Sequence, residues 1–400
     1  MKNILISGAS IAGTATAYWL RRHGFKVTVV ERAPAIREGG YKVDIRGAAL
    51  RVVERMGLLD AVRARSTGMR VATYYDGSGR PVAAMDADLF GGRTDDDVEI
   101  MRGDLNALLY DLTRDDVEYV FGDSITGIAD DGTVTFEHLG PRRFDLVVGA
   151  DGAHSNTRRI AFGEESRFAR YLGCYISICT VPNTLGLDRA EAVHPAVGRT
   201  ANVYSTRQDT AAKALFMWSS PPLGHDHRDV AQQKELLARA MDGAGWQVPA
   251  LLEAVRGAGD LYFDSVTQIH MDRWSTGRVV LVGDAGYCAS PASGQGTSLA
   301  LVGAYVLAGE LATGGGTEEY ERVLRPFVTA NQALGPANLK GMVIGSRVAL
   351  WFQLTMLRLM PRLPGRERMV ERIAGPIARA ANAVSLRDYP AAEDVAACRE

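Results

Sequence analysis

The sequence has few cysteines and no strong excess of charge, and both shortages narrow what the protein can be. Its four cysteines, Cys174, Cys179, Cys288 and Cys398, form no CxxC pair and are too few for a disulfide framework in 400 residues. A formal net charge of −2, without basic runs, gives no reason to expect nucleic acid or an anionic membrane as a partner. We therefore expect reduced thiols, no nucleic-acid binding and a cytoplasmic protein.

One apolar stretch of the sequence was tested as a candidate membrane span. Residues 342–360 are rich in large apolar groups, but Arg347, Gln353 and Arg358 interrupt them. A central arginine costs about 2.5–3.5 kcal/mol in an inserting helix. The apolar positions fall at helical spacing, which predicts a buried or half-buried helix and no membrane span. Because the chain opens on the strand-like KNILISGAS, we expect no signal peptide.

Three further kinds of site are missing from the sequence. No GxSxG segment surrounds a serine, which argues against a hydrolase. His225 and His227 look like metal ligands, but they lie in a polar loop without a third ligand at a clear spacing, so we predict no metal. No second GxGxxG occurs near mid-chain, which argues against reductases with two dinucleotide-binding domains.

What the sequence does contain is a glycine turn between a strand and a helix. An apolar strand runs into Gly8-Ala9-Ser10-Ile11-Ala12-Gly13, and a second strand ends at Glu31 and Arg32. Here Gly8 allows a tight turn, Gly13 allows close helix packing, and the helix N-terminus attracts a pyrophosphate. Glu31 can accept hydrogen bonds from ribose hydroxyls, and we count Arg32 with it as cofactor-binding. Ser10 replaces the usual middle glycine and either crowds the pyrophosphate or donates a hydrogen bond to it. The alternative is an ordinary strand–helix turn.

Three later segments extend this pattern, and together they carry a resemblance to a known family. They are MRGDL with Arg102, DLVVGADGAHSNTRR with Asp151, and GRVVLVGDAGYCASPASGQGTSLAL with Asp284, Pro291, Gly294, Gly296 and Thr297. Over most of residues 1–330 the chain resembles the group A FAD-dependent aromatic monooxygenases. One extended dinucleotide, FAD, is the ligand that suits all four segments.

The segment around Asp284 makes chemical sense for a flavin. A carboxylate at a strand tip can hold ribityl hydroxyls, and the turn from Gly294 to Thr297 can bring backbone N–H groups to the flavin pyrimidine edge. The N-terminus of the following helix would stabilise negative charge there when the flavin is reduced. The alternative is a plain loop.

The resemblance also suggests roles for four other charged residues. It implies that Arg102 contacts FAD near its ribityl–phosphate portion, and that Asp44 in GGYKVDIRG lies near the flavin. Arg46 could face the isoalloxazine or the substrate and is the one candidate catalytic side chain. Arg37 is a candidate contact for an NADPH phosphate. For Arg102 and Arg37 the alternatives are a surface arginine at a helix start and a solvated loop arginine.

The fold that the resemblance implies is that of the flavin hydroxylases. It is an α/β fold with a Rossmann-like FAD-binding domain, a β-sheet substrate domain and a C-terminal helix. Residues 1–70, 98–165 and 271–330 would form the first domain, 71–97 and 166–270 the second, and 331–400 a C-terminal helical segment. We predict one long helix after Ala330 to about Pro361 and another to Val384. In tetracycline-type enzymes a C-terminal helix braces the domains and borders the substrate entrance; simple core packing is the alternative.

The implied activity is hydroxylation of an aromatic or polyketide-like small molecule, such as a tetracycline. NADPH or NADH would reduce FAD as a transient co-substrate, and O2 would add to the ring as a C4a-hydroperoxyflavin. One oxygen atom would then enter the substrate. Two alternatives stay open: a non-hydroxylating flavin oxidase or reductase, and a flavin- or antibiotic-sequestering protein without turnover. We expect a monomer or weak homodimer.

Two positions depart from the family's common pattern. Gly286-Tyr287 stands where Ala-His usually follows the Gly-Asp pair, and Gly303 stands where an aspartate is often found. Neither change removes a group that the chemistry needs. Both favour the branch that modifies tetracyclines and polyketides.

Overall fold

A computed structural model describes residues 2–37, 39–94, 96–206, 210–224, 226, 228–360 and 366–390. The strands are β1 (Asn3–Ser7), β2 (Lys26–Glu31), β3 (Lys42–Ile45), β4 (Val71–Tyr75), β5 (Pro81–Asp86), β6 (Val98–Met101), β7 (Glu118–Phe121), β8 (Ile125–Ile128), β9 (Thr133–Phe136), β10 (Arg142–Arg143), β11 (Leu146–Gly149), β12 (Ala169–Pro182), β13 (Ala190–Ala196), β14 (Arg199–Ser205), β15 (Ala211–Ser219), β16 (Tyr262–Ile269), β17 (Ser275–Thr276) and β18 (Val279–Leu281). The helices are α1 (Ile11–Arg22), α2 (Ala48–Arg55), α3 (Leu59–Ala64), α4 (Ala87–Gly91), α5 (Arg102–Asp111), α6 (Asn156–Phe162), α7 (Val230–Met241), α8 (Val248–Gly257), α9 (Asp284–Tyr287), α10 (Gly296–Thr313), α11 (Gly316–Met342), α12 (Arg347–Leu359) and α13 (Arg366–Ala381).

The first sheet is mostly parallel, with the strand order β17-β18-β11-β1-β2-β7. Its central strands are nearly continuous apolar runs, as expected where both faces are covered. Ser7 pairs with Gly149, and Gly149 pairs with Leu281, so β1, β11 and β18 end side by side. The segments that follow these three strands therefore meet at one edge of the sheet, where ligands bind in open α/β folds.

Helices α1 and α10 pack together against this sheet. The rings of Trp19 and Tyr305 meet edge to face with centroids 4.8 Å apart. Among the described helices α10 alone is long and apolar enough to cross a bilayer, but 78% of that stretch is buried inside the protein. It is the central helix of the core, which explains why it is apolar on all sides.

The second sheet has seven strands in the order β16-β12-β15-β14-β13-β4-β5. Neighbouring strands are antiparallel except β13 and β4, which run parallel. Side chains alternate along β12 between two apolar clusters. Tyr175 and Cys179 face α7 and α8, whereas Cys174, Ile176 and Ile178 face the first domain. The predicted α/β fold with a sheet-built second domain is confirmed.

The predicted long helix after Ala330 is wrong in one respect, because α11 ends at Met342 and α12 begins only at Arg347. Val343 leaves the helix with φ −128° and ψ 96° and is buried. Ser346 then caps α12 by accepting a hydrogen bond from the Ala349 N–H. Burial of the Val343 side chain on the sheet turns the chain, and the serine provides a new helix start.

Helix α12 also lies further outward than predicted, since none of its residues is buried. Val348, Trp351 and Phe352 expose 77%, 67% and 59% of their surface. The end of α13, in contrast, packs inward. The Asn331 side chain donates a hydrogen bond to the Ala380 carbonyl, and the backbone of Ala381 lies against Gly47. The C-terminal segment thus combines an exposed helix with a docked one.

Candidate functional site

Three of the glycine-rich segments are in direct contact at the edge of the parallel sheet. A Cβ atom on Gly8 would lie 2.6 Å from the Ala150 carbonyl oxygen, and one on Gly13 would lie 1.8 Å from the Gly8 carbonyl oxygen. A Cβ on Gly283 would lie 2.9 Å from the Cβ of Ala12. Gly8 also has φ +104°, which favours glycine. We call residues 8–13 the fingerprint turn.

The fingerprint turn leaves the N-terminus of α1 available to a ligand. Ser10 is the N-cap residue, but its side chain makes no capping hydrogen bond. Its hydroxyl instead accepts a hydrogen bond from Arg102 Nη2 at 2.7 Å, although the two residues are 92 positions apart. Ile11 and Ala12 are buried at the start of the helix. The first N–H groups of α1, with a guanidinium beside them, fit a pyrophosphate.

Glu31 lies at the end of β2, next to this turn. Its two carboxylate oxygens accept hydrogen bonds from the Ala9 and Ala33 N–H groups, each at 2.8 Å. These bonds fix the carboxylate and leave lone pairs for ribose hydroxyls. Arg32 and Arg37 are exposed in the loop that follows.

Asp284 is the first residue of α9 and is half-buried between the domains. Desolvation raises the pKa of its carboxyl, while the Cys288 thiol and the Arg102 guanidinium oppose that shift. Tyr41 and Tyr262 are close by, with ring centroids 5.8 Å apart. A partly desolvated carboxylate in a cavity is suited to hold uncharged hydroxyl groups.

A second uncapped helix start lies beside Asp284. Pro291 opens a short 3-10 turn that ends at Gly294, which is left-handed with open space where a Cβ would stand. Gln295, the N-cap residue of α10, makes no side-chain capping bond. A Cβ atom added to Gly296 would lie 3.8 Å from a carboxylate oxygen of Asp284. The next residue, Thr297, is buried. The N–H groups of this turn therefore fit a polar ring edge.

Asp151 follows β11 and serves the helix after it. One carboxylate oxygen accepts hydrogen bonds from the Thr157 N–H at 2.8 Å and the Thr157 hydroxyl at 2.9 Å. The other oxygen accepts a hydrogen bond from the Ser155 hydroxyl. In this structure the carboxylate orders the loop and the start of α6, and both oxygens already have partners.

Asp44 and Arg46 belong to a buried group of charges between the domains. We call this group the charge cluster; its members are Lys42, Asp44, Arg46, Arg93, Glu99 and Glu191. Arg46 Nη2 lies 2.7 Å from the Asp44 carboxylate and also donates to the Gly91 carbonyl, and Nη1 donates to the Gly92 carbonyl. Its buried Nε has no hydrogen-bond partner among the described residues. Arg46 is buried, and its contact with a flavin or a substrate stays a prediction.

The other charges of the cluster are paired as closely. Arg93 lies 2.6 Å from Glu99 and 3.4 Å from Asp44. Lys42 lies 3.3 Å from Glu99 and 3.1 Å from Glu191. Although burial lowers the pKa of Lys42, these two carboxylates raise it above its usual value. Arg46 also lies 4.0 Å from Asp97, and Arg93 lies 2.8 Å from Asp88. Each of the three cations is therefore paired with more than one carboxylate, as buried charges require.

One contact between the domains was missed by the sequence analysis. His154 Nδ1 lies 2.9 Å from Glu165, and Nε2 lies 3.1 Å from Asp264 on β16. Hydrogen bonds to Asp264 and Glu165 raise the pKa of His154 to about 10. Asp264 in turn accepts a hydrogen bond from the Tyr262 hydroxyl at 3.2 Å. His154 stands inside the quoted segment ADGAHSN, but no spacing rule links it to Asp264.

The two departures from the family pattern are in contact with each other. A Cβ on Gly303 would lie 2.0 Å from the Tyr287 hydroxyl oxygen. That hydroxyl pairs with the Tyr320 hydroxyl at 2.9 Å, and Tyr320 donates to the Leu281 carbonyl. Burial raises the pKa of Tyr287. His225 and His227 lie outside the described residues.

The chain is similar to known FAD-binding proteins. The family model described as FAD binding domain matches residues 1–318. An uncharacterized protein of Mycobacterium tuberculosis is 48% identical over 351 residues, which cover 85% of this chain and 94% of that protein. A flavin-dependent monooxygenase of Legionella longbeachae is 41% identical over 340 residues, covering 83% and 87%. The crystal structure of tetracycline destructase Tet(55) matches with a TM-score of 0.85 and 37% identity, covering 97% and 99%.

Proposed function

The chain belongs to the FAD-binding-domain family of flavin-dependent monooxygenases, and on that premise we propose that it hydroxylates a small aromatic or polyketide-like molecule, such as a tetracycline. The reductant is NADPH or NADH and the oxidant is O2. One observation carries the proposal: two solved structures that match almost the whole chain, at 37% and 34% identity, are both of tetracycline destructases. We also propose a cytoplasmic location, since Cys174, Cys179 and Cys288 are free buried thiols.

When bound, FAD supplies the redox chemistry, and the protein supplies binding and orientation. The N-terminus of α1 and the Arg102–Ser10 pair would hold the pyrophosphate. Glu31 would accept hydrogen bonds from the ribose, and Asp284 from the ribityl chain. The N–H groups at the start of α10 would hold the pyrimidine edge and stabilise negative charge there.

The second sheet closes this site from above with an apolar face. Cys174, Ile176 and Met217 line the sheet surface that packs towards Tyr41 and Ala292. An apolar cover excludes water, which protects a reactive intermediate from hydrolysis and strengthens hydrogen bonds inside the site. We propose that the shape of this apolar face selects the substrate.

The test is mass spectrometry on tetracyclines, anthraquinones, rifamycins and simple phenols treated with the FAD-loaded protein, NADPH and labelled oxygen gas. We expect one product that is heavier by a single labelled oxygen atom. NADPH loss with hydrogen peroxide as the only product would mean that the flavin site works and that none of these compounds is the substrate. An absence of NADPH loss with every compound would favour a protein that binds flavin without turnover.

The cofactor assignment predicts the effect of Asp284→Asn, which keeps the side-chain shape but removes the carboxylate. We expect the purified variant to carry less FAD and to bind it about tenfold more weakly, as the loss of a charge-assisted hydrogen bond would cause. Asp242→Asn, at an exposed carboxylate after α7, is the control and should keep full FAD content. Equal FAD affinity in both variants would remove Asp284 from the site.

A further inference from the structure

Large apolar side chains are exposed almost entirely on one surface of the protein. In the described part of the chain seven of them expose 40% of their surface or more, and six of these seven lie on α12, at the end of α11 or in the turn between β13 and β14. We call these six residues the α12 patch: Val197, Met342, Val348, Trp351, Phe352 and Leu359. We propose that the α12 patch binds the surface of an anionic lipid membrane. This inference goes beyond the proposed activity and does not depend on it.

The patch is built from two chain segments that lie against each other. The Gly198 N–H donates a hydrogen bond to the Ile344 carbonyl at 2.7 Å, and the Thr200 hydroxyl donates to the Met342 carbonyl at 2.6 Å. Val197, in the turn between β13 and β14, therefore lies beside the connection from α11 to α12. The turn and the connection form one surface.

On α12 the patch is a stripe along one side of the helix. Its four members are three, four or seven positions apart along the chain, a spacing that places side chains on the same helix face. Leu350, Leu354 and Leu357 point the other way and are half-buried, and α12 packs beside β5. The helix is thus held by one apolar side, while the opposite apolar side has no cover among the described residues.

The charge around the patch is positive. Arg347 and Arg358 are exposed near the two ends of α12, which contains no acidic residue, and neither guanidinium is ion-paired with any residue that the structure describes. The sequence from 342 to 382 contains seven arginines and only two glutamates, although the whole chain has a net charge of −2. The total charge, on which the sequence analysis relied, conceals this local excess.

Exposed aromatic and aliphatic groups beside unpaired arginines fit an anionic lipid surface. Tryptophan, phenylalanine and leucine side chains insert at the boundary between head groups and acyl chains, and arginines at the same level are attracted to anionic lipids, which the cytoplasmic leaflet carries. The 13 residues of α12 span about 20 Å, which is too short to cross a hydrocarbon core of about 30 Å. The helix would therefore lie in the plane of the interface.

A second copy of the chain fits the same surface less well. Two copies that met through their α12 stripes would bring Arg347 and Arg358 of each close to those of the other. Since α12 has no carboxylate to neutralise them, like charges would oppose this contact.

The test is flotation of the FAD-loaded protein with vesicles of phosphatidylcholine and phosphatidylglycerol in equal parts, and with vesicles of phosphatidylcholine alone. We expect binding to the mixed vesicles that weakens with added salt, and much weaker binding to the neutral vesicles. Trp351→Ser should weaken binding to the mixed vesicles by about tenfold or more, because a large buried apolar group is lost. Arg347→Gln should weaken it about fivefold, as expected for one arginine near a charged surface.

Val348→Ser and Val230→Ser are a matched pair, because they make the same change at two exposed valines, one in the patch and one on α7. The first should weaken vesicle binding and the second should not, and both variants should keep the native FAD content. Equal binding by the two variants, or equal binding to neutral and mixed vesicles, would overturn the inference. A dimer that Trp351→Ser dissociates in sedimentation velocity, without flotation of the native protein, would overturn it in favour of a second copy.

Discussion

The fingerprint turn and the charge cluster both position groups at the junction between the domains, but they do so by opposite means. At the turn, backbone meets backbone, and an added methyl group on Gly13 would overlap the Gly8 carbonyl. In the cluster, long side chains meet, and Arg93 alone contacts carboxylates from three different segments, those of Asp44, Asp88 and Glu99. The fingerprint turn depends on the absence of side chains, whereas the charge cluster depends on the charge of its side chains.

The difference determines what each region tolerates. The turn resists any increase in size, because close-packed backbone has nowhere to move. A change of charge in the cluster is destabilising, because a buried ion that loses its partner is still desolvated but is no longer stabilised by the opposite charge. Substitutions that change size should therefore destabilise the fingerprint turn, and substitutions that change charge should destabilise the charge cluster.

The largest effect is expected for Arg93→Met, which keeps volume but removes the charge. Arg93 exposes 4% of its side chain, so its loss leaves Glu99 and Asp44 buried without it. The free energy of unfolding, measured with urea, should fall by about 3–5 kcal/mol. Adding Glu99→Gln should restore part of the loss. A fall below about 1 kcal/mol would mean that water already reaches these carboxylates.

The next effect concerns the turn, where Gly13→Ala adds one methyl group. The forced shift of α1 should lower the free energy of unfolding by about 1–3 kcal/mol and reduce FAD content. Gly341→Ala is the control, because Gly341 lies exposed in α11 with no atom near an added Cβ. That variant should be neutral or gain up to about 1 kcal/mol from helix propensity. Equal behaviour of the two variants would show that packing at the turn is loose.

The smallest effect is expected at His154, where the stabilisation should depend on pH. His154 is a charged contact between the domains, but unlike the charge cluster it is 45% exposed. Its pKa is raised to about 10 by Asp264 and Glu165, with Arg158 also bound to Glu165. Its contribution is therefore complete below pH 6.5 and is lost as the pH rises towards 10. The stability difference between the native protein and His154→Gln should shrink over that interval. A difference that is constant with pH would show that His154 contributes by packing.

The sequence predicted those parts of the site that depend on short segments. The strand–turn–helix at residues 3–22, with Glu31 at the end of β2, follows from local spacing and glycine sterics. The α/β fold with a second sheet follows from the order of these segments and the family resemblance. The roles of the individual site residues remain proposals.

The rest depends on contacts between distant segments, which no periodicity records. The hydrogen bond from Arg102 to Ser10 and the pairing of Lys42 with Glu191 join segments about 90 and 150 residues apart. The break at Val343 depends on the sheet surface that buries this side chain. The partners of Arg46 at Gly91 and Gly92 are backbone carbonyls, which leave no trace in the residue types of the sequence.

The contact between Tyr287 and Gly303 constrains which side chains can stand at either position. A larger residue at 303 has no room while the tyrosine ring is present, and a smaller residue at 287 would leave a void beside Tyr320. Neither position can change freely by itself. The two residues therefore form one steric unit, in which the size of each side chain sets the space left for the other.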